Sequence, residues 1–392
     1  MRTLILSLLL FSNALFGVEL ESVINTALQK SPSLEVINAR LEANKQSIDI
    51  ADQFANPELS LVKNTLDASQ AMSKTVLSLK QNIPYYSKRA KREDVAMAED
   101  AVLKEQLRAA EVKLVERIKT EAYTIWELRE LTNIIDEYIS LTKRNVTLYE
   151  SYSSINSSQH MGIMKAELSL SDLKVQRTAI EAKIFQAYAR LSALAAFRVE
   201  KLDIDLSIKN KPELERFRAD LVYNPEIALK EKEIAKQNAK VALADVNNYP
   251  DVNVLAGYNY REKYDDYFSV GVGLSLPIYG TEDAKEERER ALLLAKRSQK
   301  ADTQLGVNAA LESYYAVMLS SYKIYHIIQD DALPQVAHMF ELSNASISTG
   351  SDLFKYIDVL FDKLSLEKKS ITAIANYNKA EAKIAELQGK LQ

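Results

Sequence analysis

Tyr249-Pro250-Asp251-Val252-Asn253-Val254-Leu255-Ala256-Gly257-Tyr258-Asn259-Tyr260 decides how this chain is read. Pro250 ends any helix before it, because the residue preceding a proline is pushed out of helical conformation. Beyond it the period becomes two. Val252, Val254, Ala256, Tyr258 and Tyr260 share one face; Asp251, Asn253, Gly257 and Asn259 share the other, with Leu255 the exception. The next run alternates Val270, Val272, Leu274 and Leu276 with Gly271, Gly273 and Ser275. Four of the nine glycines (257, 271, 273 and 280) fall in this short region. An apolar face backed by small and polar residues, with Tyr258, Tyr260, Tyr264 and Tyr267 flanking it, is the pattern of strands set between lipid and a wet lumen.

The same construction stands 193 residues earlier. Pro225, Pro250 and Pro277 are spaced by 25 and 27 residues, as are Pro32, Pro57 and Pro84. Six of the eight prolines belong to this pattern. Leu59/Val252, Leu61/Val254, Leu77/Val270, Leu79/Val272, Ile83/Leu276 and Tyr86/Tyr279 match at the same offset. The chain is therefore expected to be an internal duplication with one β-hairpin at about 58–83 and another at about 251–277. Four strands cannot close a membrane barrel, whose smallest members have about eight. An open edge is not tolerated in lipid. Closure then requires several chains, and two hairpins from each of three copies give twelve strands.

Outside the hairpins the pattern is helical. Entry helices are expected at about 19–55 and 213–248, and long helices after Pro84 and Pro277. Between Pro84 and Pro212 there is no proline and one glycine, Gly162. A helix over 85–152 would be about 100 Å long. Helix propensity collapses at Ser151-Tyr152-Ser153-Ser154-Ile155-Asn156-Ser157-Ser158, placing one tip at about 151–160. The second tip lies at about 346–352, where Gly350 is the equivalent of Ser157, and Pro334 is expected to kink the helix before it. Leucine, isoleucine and alanine at heptad-like spacing in 168–194 and 357–391 read as helix-to-helix core.

Composition sets the limits. The 392 residues carry 50 basic and 54 acidic side chains, a net charge of −4 that recommends no nucleic-acid partner. The absence of cysteine excludes disulfides, thiolate metal sites, a cysteine nucleophile and a cysteine-linked lipid anchor. Arg2, the apolar run Leu4–Phe11 and the small residues Ser12, Ala14 and Gly17 read as a signal peptide over 1–17. No stretch reaches the roughly 18 consecutive apolar residues of a membrane-spanning helix. The rest divides into a first repeat, 18–200, a linker, 201–212, and a second repeat, 213–392. No zinc-protease helix motif, nucleotide-binding glycine loop or nucleophile elbow is present. No enzyme activity, cofactor or metal site is expected; His160, Met161 and Met164, with His338 and Met339, offer only a faint pattern for a soft metal.

Several motifs in order resemble the TolC family of trimeric outer-membrane efflux ducts. They are Ala27-Leu28-Gln29-Lys30-Ser31-Pro32-Ser33-Leu34 with Asp220-Leu221-Val222-Tyr223-Asn224-Pro225-Glu226-Ile227, and Asn56-Pro57-Glu58-Leu59-Ser60-Leu61 with Tyr249-Pro250-Asp251-Val252-Asn253-Val254. The strand exits Ile83-Pro84-Tyr85-Tyr86 and Leu276-Pro277-Ile278-Tyr279-Gly280, and Gly350 followed by Tyr356-Ile357-Asp358-Val359-Leu360, complete the set. The resemblance implies a mainly α homotrimer with a twelve-stranded barrel in outer-membrane lipid, continued by an α-helical coiled-coil barrel across the periplasm. It also implies a periplasmic adaptor and an inner-membrane pump of RND or ABC type as partners. In the family, acids near the second tip form a constricting ring. Asp358, in the Asp-Val-Leu run, Asp362 on its face and Asp352 are the matching candidates here. The first tip departs from the family's glycine-first turn. The competing expectation is a periplasmic coiled-coil spacer or adaptor that forms no channel.

Overall fold

The computed structural model describes residues 17–65, 67, 70, 72–152, 157–347 and 353–391. It is 74% helical. In chain order the elements are β1 (Val18–Glu19), α1 (Leu20–Lys30), α2 (Pro32–Ala51), β2 (Glu58–Lys63), β3 (Lys74–Ile83), α3 (Tyr86–Tyr152) and α4 (Ser157–Ala195). They continue as β4 (Leu202–Asp203), α5 (Leu214–Ala219), α6 (Pro225–Val246), β5 (Val252–Arg261), β6 (Tyr267–Leu274), α7 (Thr281–His326), α8 (Leu333–Ile347) and α9 (Leu353–Leu387). A 3₁₀ turn, Asp220–Tyr223, precedes α6, and a π-helical segment, Ile327–Ala332, joins α7 to α8.

The prolines act as punctuation. Pro32 and Pro225 open α2 and α6 at the one helical position where a missing N–H costs nothing. Pro57 and Pro250 precede β2 and β5; Pro84 and Pro277 follow β3 and β6. Each entry segment is less continuous than its periodicity implies. The first breaks at Ser31 and the second at the 3₁₀ turn, because the residue before each proline cannot remain helical. Pro334 does not sharply break its helix. Lacking an N–H, it leaves a carbonyl one turn back without its usual partner, and the backbone widens so that Leu333 N–H bonds to Ile328 O.

The described residues form two compact units. One comprises 36–109 and 225–305 and holds the sheet β2-β3-β5-β6 with the adjoining parts of α2, α3, α6 and α7. All three strand pairings are antiparallel. Lys88, almost fully buried, ties helix to strand: its Nζ donates to Tyr249 O at 2.7 Å and to Asp251 Oδ1 at 2.8 Å. Tyr85 N–H donates to the same carboxylate oxygen at 2.9 Å, and the Tyr85 and Tyr249 rings stack at 4.6 Å. Burial pushes the Asp251 carboxyl up, but Lys88, the Tyr85 N–H and Arg92 outweigh it and hold it below the usual carboxylate range. Two helix–helix hydrogen bonds repeat at the 193 offset: Asn44 Nδ2 donates to Ala96 O at 3.0 Å, and Gln237 Nε2 to Glu289 O at 3.1 Å.

The other unit comprises the described residues of 1–35, 110–224 and 306–392. Its centre is α9, whose Tyr356, Ile357, Leu360, Leu364, Ala375 and Ile384 are buried. Trp126, Ile371 and Ala375 form a local core that the linker covers with Ile204 and Leu206. The linker is tied to α9 by Tyr377 Oη donating to Asn210 O at 2.7 Å and Asn378 Nδ2 donating to Ser207 O at 3.2 Å. Within that linker β4 pairs in parallel with β1, a two-stranded element that no periodicity announces. Helices α4 and α9 end alike: Ala196 and Gly389 both have positive φ, 59° and 68°, and again lie 193 residues apart.

Two outcomes follow. Asp251→Asn leaves the Lys88 ammonium with only neutral acceptors and no counter-charge, and is expected to destabilise the protein by about 2–3 kcal/mol at neutral pH. Because the folded Asp251 carboxyl titrates below its unfolded value, its contribution is present above roughly pH 4 and fades as pH falls. The gap between the denaturation curves of the two proteins should therefore narrow as pH is lowered from 7 into the acid range; a constant gap would refute the assignment. Ala196→Gly relieves a left-handed alanine and should raise stability by about 0.5–1 kcal/mol in the same measurement, where a loss would count against that strain.

Candidate functional site

The sheet's two faces differ in chemistry. The register Leu59↔Leu79 and Leu61↔Leu77, then Leu77↔Tyr258 and Leu79↔Ala256, then Val254↔Val272 and Ala256↔Val270, carries one apolar face across all four strands. That face is bare: Leu61 is 70% exposed and Val270 79%. The opposite face is mostly small and polar, with Val62, Val76 and Leu255 the exceptions. Ser60 Oγ and Ser78 Oγ lie 2.7 Å apart, and Asn259 Nδ2 donates to Ser269 Oγ at 3.0 Å. Gly257 sits among these groups, where a Cβ would come within 3.0 Å of Ser269 Oγ. Strands β2 and β6 form the two edges, and neither pairs with a further strand among the described residues. β3 and β5, ten residues each, have the length of a tilted strand that crosses a bilayer. No described helix is long and apolar enough to cross a membrane.

The acid candidates belong to the other unit. Asp358 and Asp362 are exposed, one turn apart on α9. Val359 and Leu360 between them are buried. Asp358 forms an ion pair with Lys165 of α4. Around them α9 is held on several sides. Tyr138 Oη of α3 donates to Glu367 at 2.8 Å, Asn145 Nδ2 donates to Tyr356 Oη at 2.9 Å, and the Phe340 ring of α8 lies 5.3 Å from that of Tyr356. Burial, followed by the Glu367 carboxylate, pushes the Tyr138 hydroxyl far up; burial also raises Tyr356. Both remain neutral donors and acceptors across the physiological range.

Asp352 and Gly350 lie outside the described residues, as do 1–16 of the expected signal peptide. Ser157 is the first residue of α4. Met161 and Met164 are exposed on α4 and Met339 on α8. Among the described residues no cluster of three or more histidine and carboxylate side chains is placed to hold a metal ion. Leu168 departs from its reading as core. Ala166, Leu173, Ile180, Ala187 and Leu191 form the buried stripe of α4, and Leu168 is turned away from it. Lys165 was not singled out in the sequence, although the repeat offset marks it: it is the first-half equivalent of Asp358.

No protein-family model matches the chain, and no curated protein does. Solved structures do. The CmeC outer membrane channel of Campylobacter jejuni matches with a TM-score of 0.77 at 13% identity, over 94% of this chain and 85% of that one. The open-state MtrE outer membrane channel of Neisseria gonorrhoeae gives 0.79 at 13% identity, over 95% and 89%. The outer membrane protein VceC of Vibrio cholerae gives 0.77 at 15% identity, over 95% and 96%. At such identities the likeness is one of architecture, and the fold of this chain is that of TolC-family outer-membrane channels.

Proposed function

We propose that three copies of this chain form a duct through the outer membrane of a Gram-negative bacterium, extended into the periplasm by its helices. The observation that carries the reading is the four-stranded sheet with one bare apolar face, one polar face and two open edges. Lipid covers the apolar face, and the edges of neighbouring copies pair to make a twelve-stranded barrel with a polar lumen. The chain is then a duplication, 18–200 and 213–392, in which each half supplies one hairpin and one pair of long helices. The duct is passive and works with a periplasmic adaptor and an inner-membrane pump of RND or ABC type, which supply energy and select the cargo. The competing reading, a spacer or adaptor in the periplasm, would leave the apolar face in water, where a contiguous patch of this kind is unfavourable.

Within this reading the duct is gated at its periplasmic helix tips. Carboxylates repeated by threefold symmetry around a narrow opening focus a negative potential, attracting cations and repelling anions. Asp362 and Asp358 contribute to it, with Asp358 also tied to Lys165.

In detergent the protein should sediment at three times its chain mass, migrate as a heat-modifiable species and conduct in planar bilayers. A folded, water-soluble monomer without conductance would sink the duct reading. The double variant Asp358→Asn/Asp362→Asn should raise the closed-state leak or weaken cation selectivity; unchanged single-channel currents would remove both acids from the gate.

A further inference from the structure

A cavity of about 830 Å³ lies within the unit that contains α9, a volume in the range of small-molecule sites. Helices α3, α7 and α9 enclose it together with the end of the linker and α5. Its wall is pinned to α9 at several points. Tyr377 holds Asn210 through the hydrogen bond described above, and Gln388 Nε2 donates to Phe217 O at 3.1 Å. Lys390 Nζ donates to Asp220 Oδ2 at 2.8 Å just beyond α5.

The lining combines two chemistries. Met318, Tyr377 and Ile384 are buried, and Tyr123 and Phe217 add two further rings. Beside them stand five cations, Lys119, Lys209, Lys211, Arg216 and Lys390, against three carboxylates, Glu213, Asp220 and Glu381. A local excess of positive charge is unusual in a chain whose net charge is −4. Asp220 is already paired with Lys390, and Glu381 acts on Lys119 and Tyr123. Lys209, Lys211 and Arg216 form no ion pair among the described residues, and Glu213 pairs with none of them. Burial pulls the Lys119 ammonium below the usual lysine range, with Glu381 working the other way. Burial, then Glu381, pushes the Tyr123 hydroxyl up to about 12, so it stays a neutral donor.

We infer that this cavity binds a small organic carboxylate, its aromatic or alkyl body against Met318, Tyr377 and Phe217 and its charge toward Lys211 and Arg216. A guanidinium meets a carboxylate with two parallel N–H···O bonds, and an ammonium adds a point charge beside it. The apolar body gains by leaving water for the rings and the methionine. An inorganic anion would use only the charged half of the site, and a neutral compound only the apolar half. The bound carboxylate ties the linker and α5 to α9 by a contact that no carboxylate of the chain supplies. All the lining comes from one copy, so the site does not depend on the threefold assembly.

Isothermal titration of the purified full chain in detergent with 1-naphthoate tests the site. Saturation at one 1-naphthoate per chain is expected. Lys211→Glu/Arg216→Glu should weaken binding about tenfold or more with the melting temperature unchanged, since both side chains are exposed and unpaired. Lys174→Glu/Lys232→Glu makes the same charge change at exposed positions outside the cavity and should bind within about twofold of the unaltered protein. The neutral 1-naphthylmethanol and inorganic phosphate should each bind about tenfold more weakly than 1-naphthoate. Phosphate binding as tightly would overturn the apolar half of the assignment, and the alcohol binding as tightly would overturn the charged half. Absence of saturation, or indifference to the Lys211/Arg216 reversal, overturns the site. Should that reversal unfold the chain, Lys211→Gln/Arg216→Gln replaces it, with loss of binding expected and unchanged binding again decisive against the site.

Discussion

A backbone N–H or C=O deprived of water must find another partner, and the edges of the β2-β3-β5-β6 sheet hold the groups that most need one. Inside the sheet every strand is satisfied by its neighbour. At β2 and β6 one side of the ladder is open among the described residues. In water, exposed edges are a route to aggregation, and soluble proteins blunt them. In a bilayer they are inadmissible. The apolar face, bare from Leu59 to Leu274, adds the second half of the constraint: a patch of this kind is unfavourable in water, and open edges are unfavourable in lipid. In the duct proposed above, assembly resolves both at once.

Much of the fold was legible because its instructions are local. A proline at a helix start, a proline before a strand and a change of period from 3.6 to two can each be read from neighbouring residues. Their recurrence after 193 residues made the reading redundant. The Asn44–Ala96 and Gln237–Glu289 hydrogen bonds carry the same offset into three dimensions. What escaped was non-local or depended on geometry with no sequence signature. β1 and β4 are two residues each, too short for any periodicity, and they meet only because α1 and α4 bring their ends together. Leu168 was read as core because a leucine on a heptad indicates a helix–helix contact. The contact that α4 makes inside its own chain lies on another stripe, through Ala166, Leu173 and Ile180. Periodicity shows that a face will be covered without saying by which chain.

For the candidate acids the sequence narrowed the choice without supplying the partners. Asp358 stood out by its run of neighbours, yet its ion pair with Lys165 arises from the parallel packing of α4 on α9. Tyr138 and Asn145 reach α9 from a helix more than two hundred residues earlier, and no spacing rule connects positions so far apart. Buried residues of α3, α4 and α9, among them Ile135, Leu173 and Leu360, hold those polar contacts in place. The site is therefore a property of the bundle more than of the Asp-Val-Leu motif.

Lys165 and Asp358 occupy the same place in the two halves of the sequence, and they touch. Had the halves stayed identical, that contact would set lysine against lysine or aspartate against aspartate. A residue that meets its own duplicate cannot be attracted to it by charge. In the duplication proposed above, attraction became available only once the two halves were free to diverge, one holding a cation and the other an anion. The halves are thus no longer interchangeable. A gene encoding either half twice would bring like charges together at this contact, so the fused arrangement, once it carried this pair, could not be taken apart without loss.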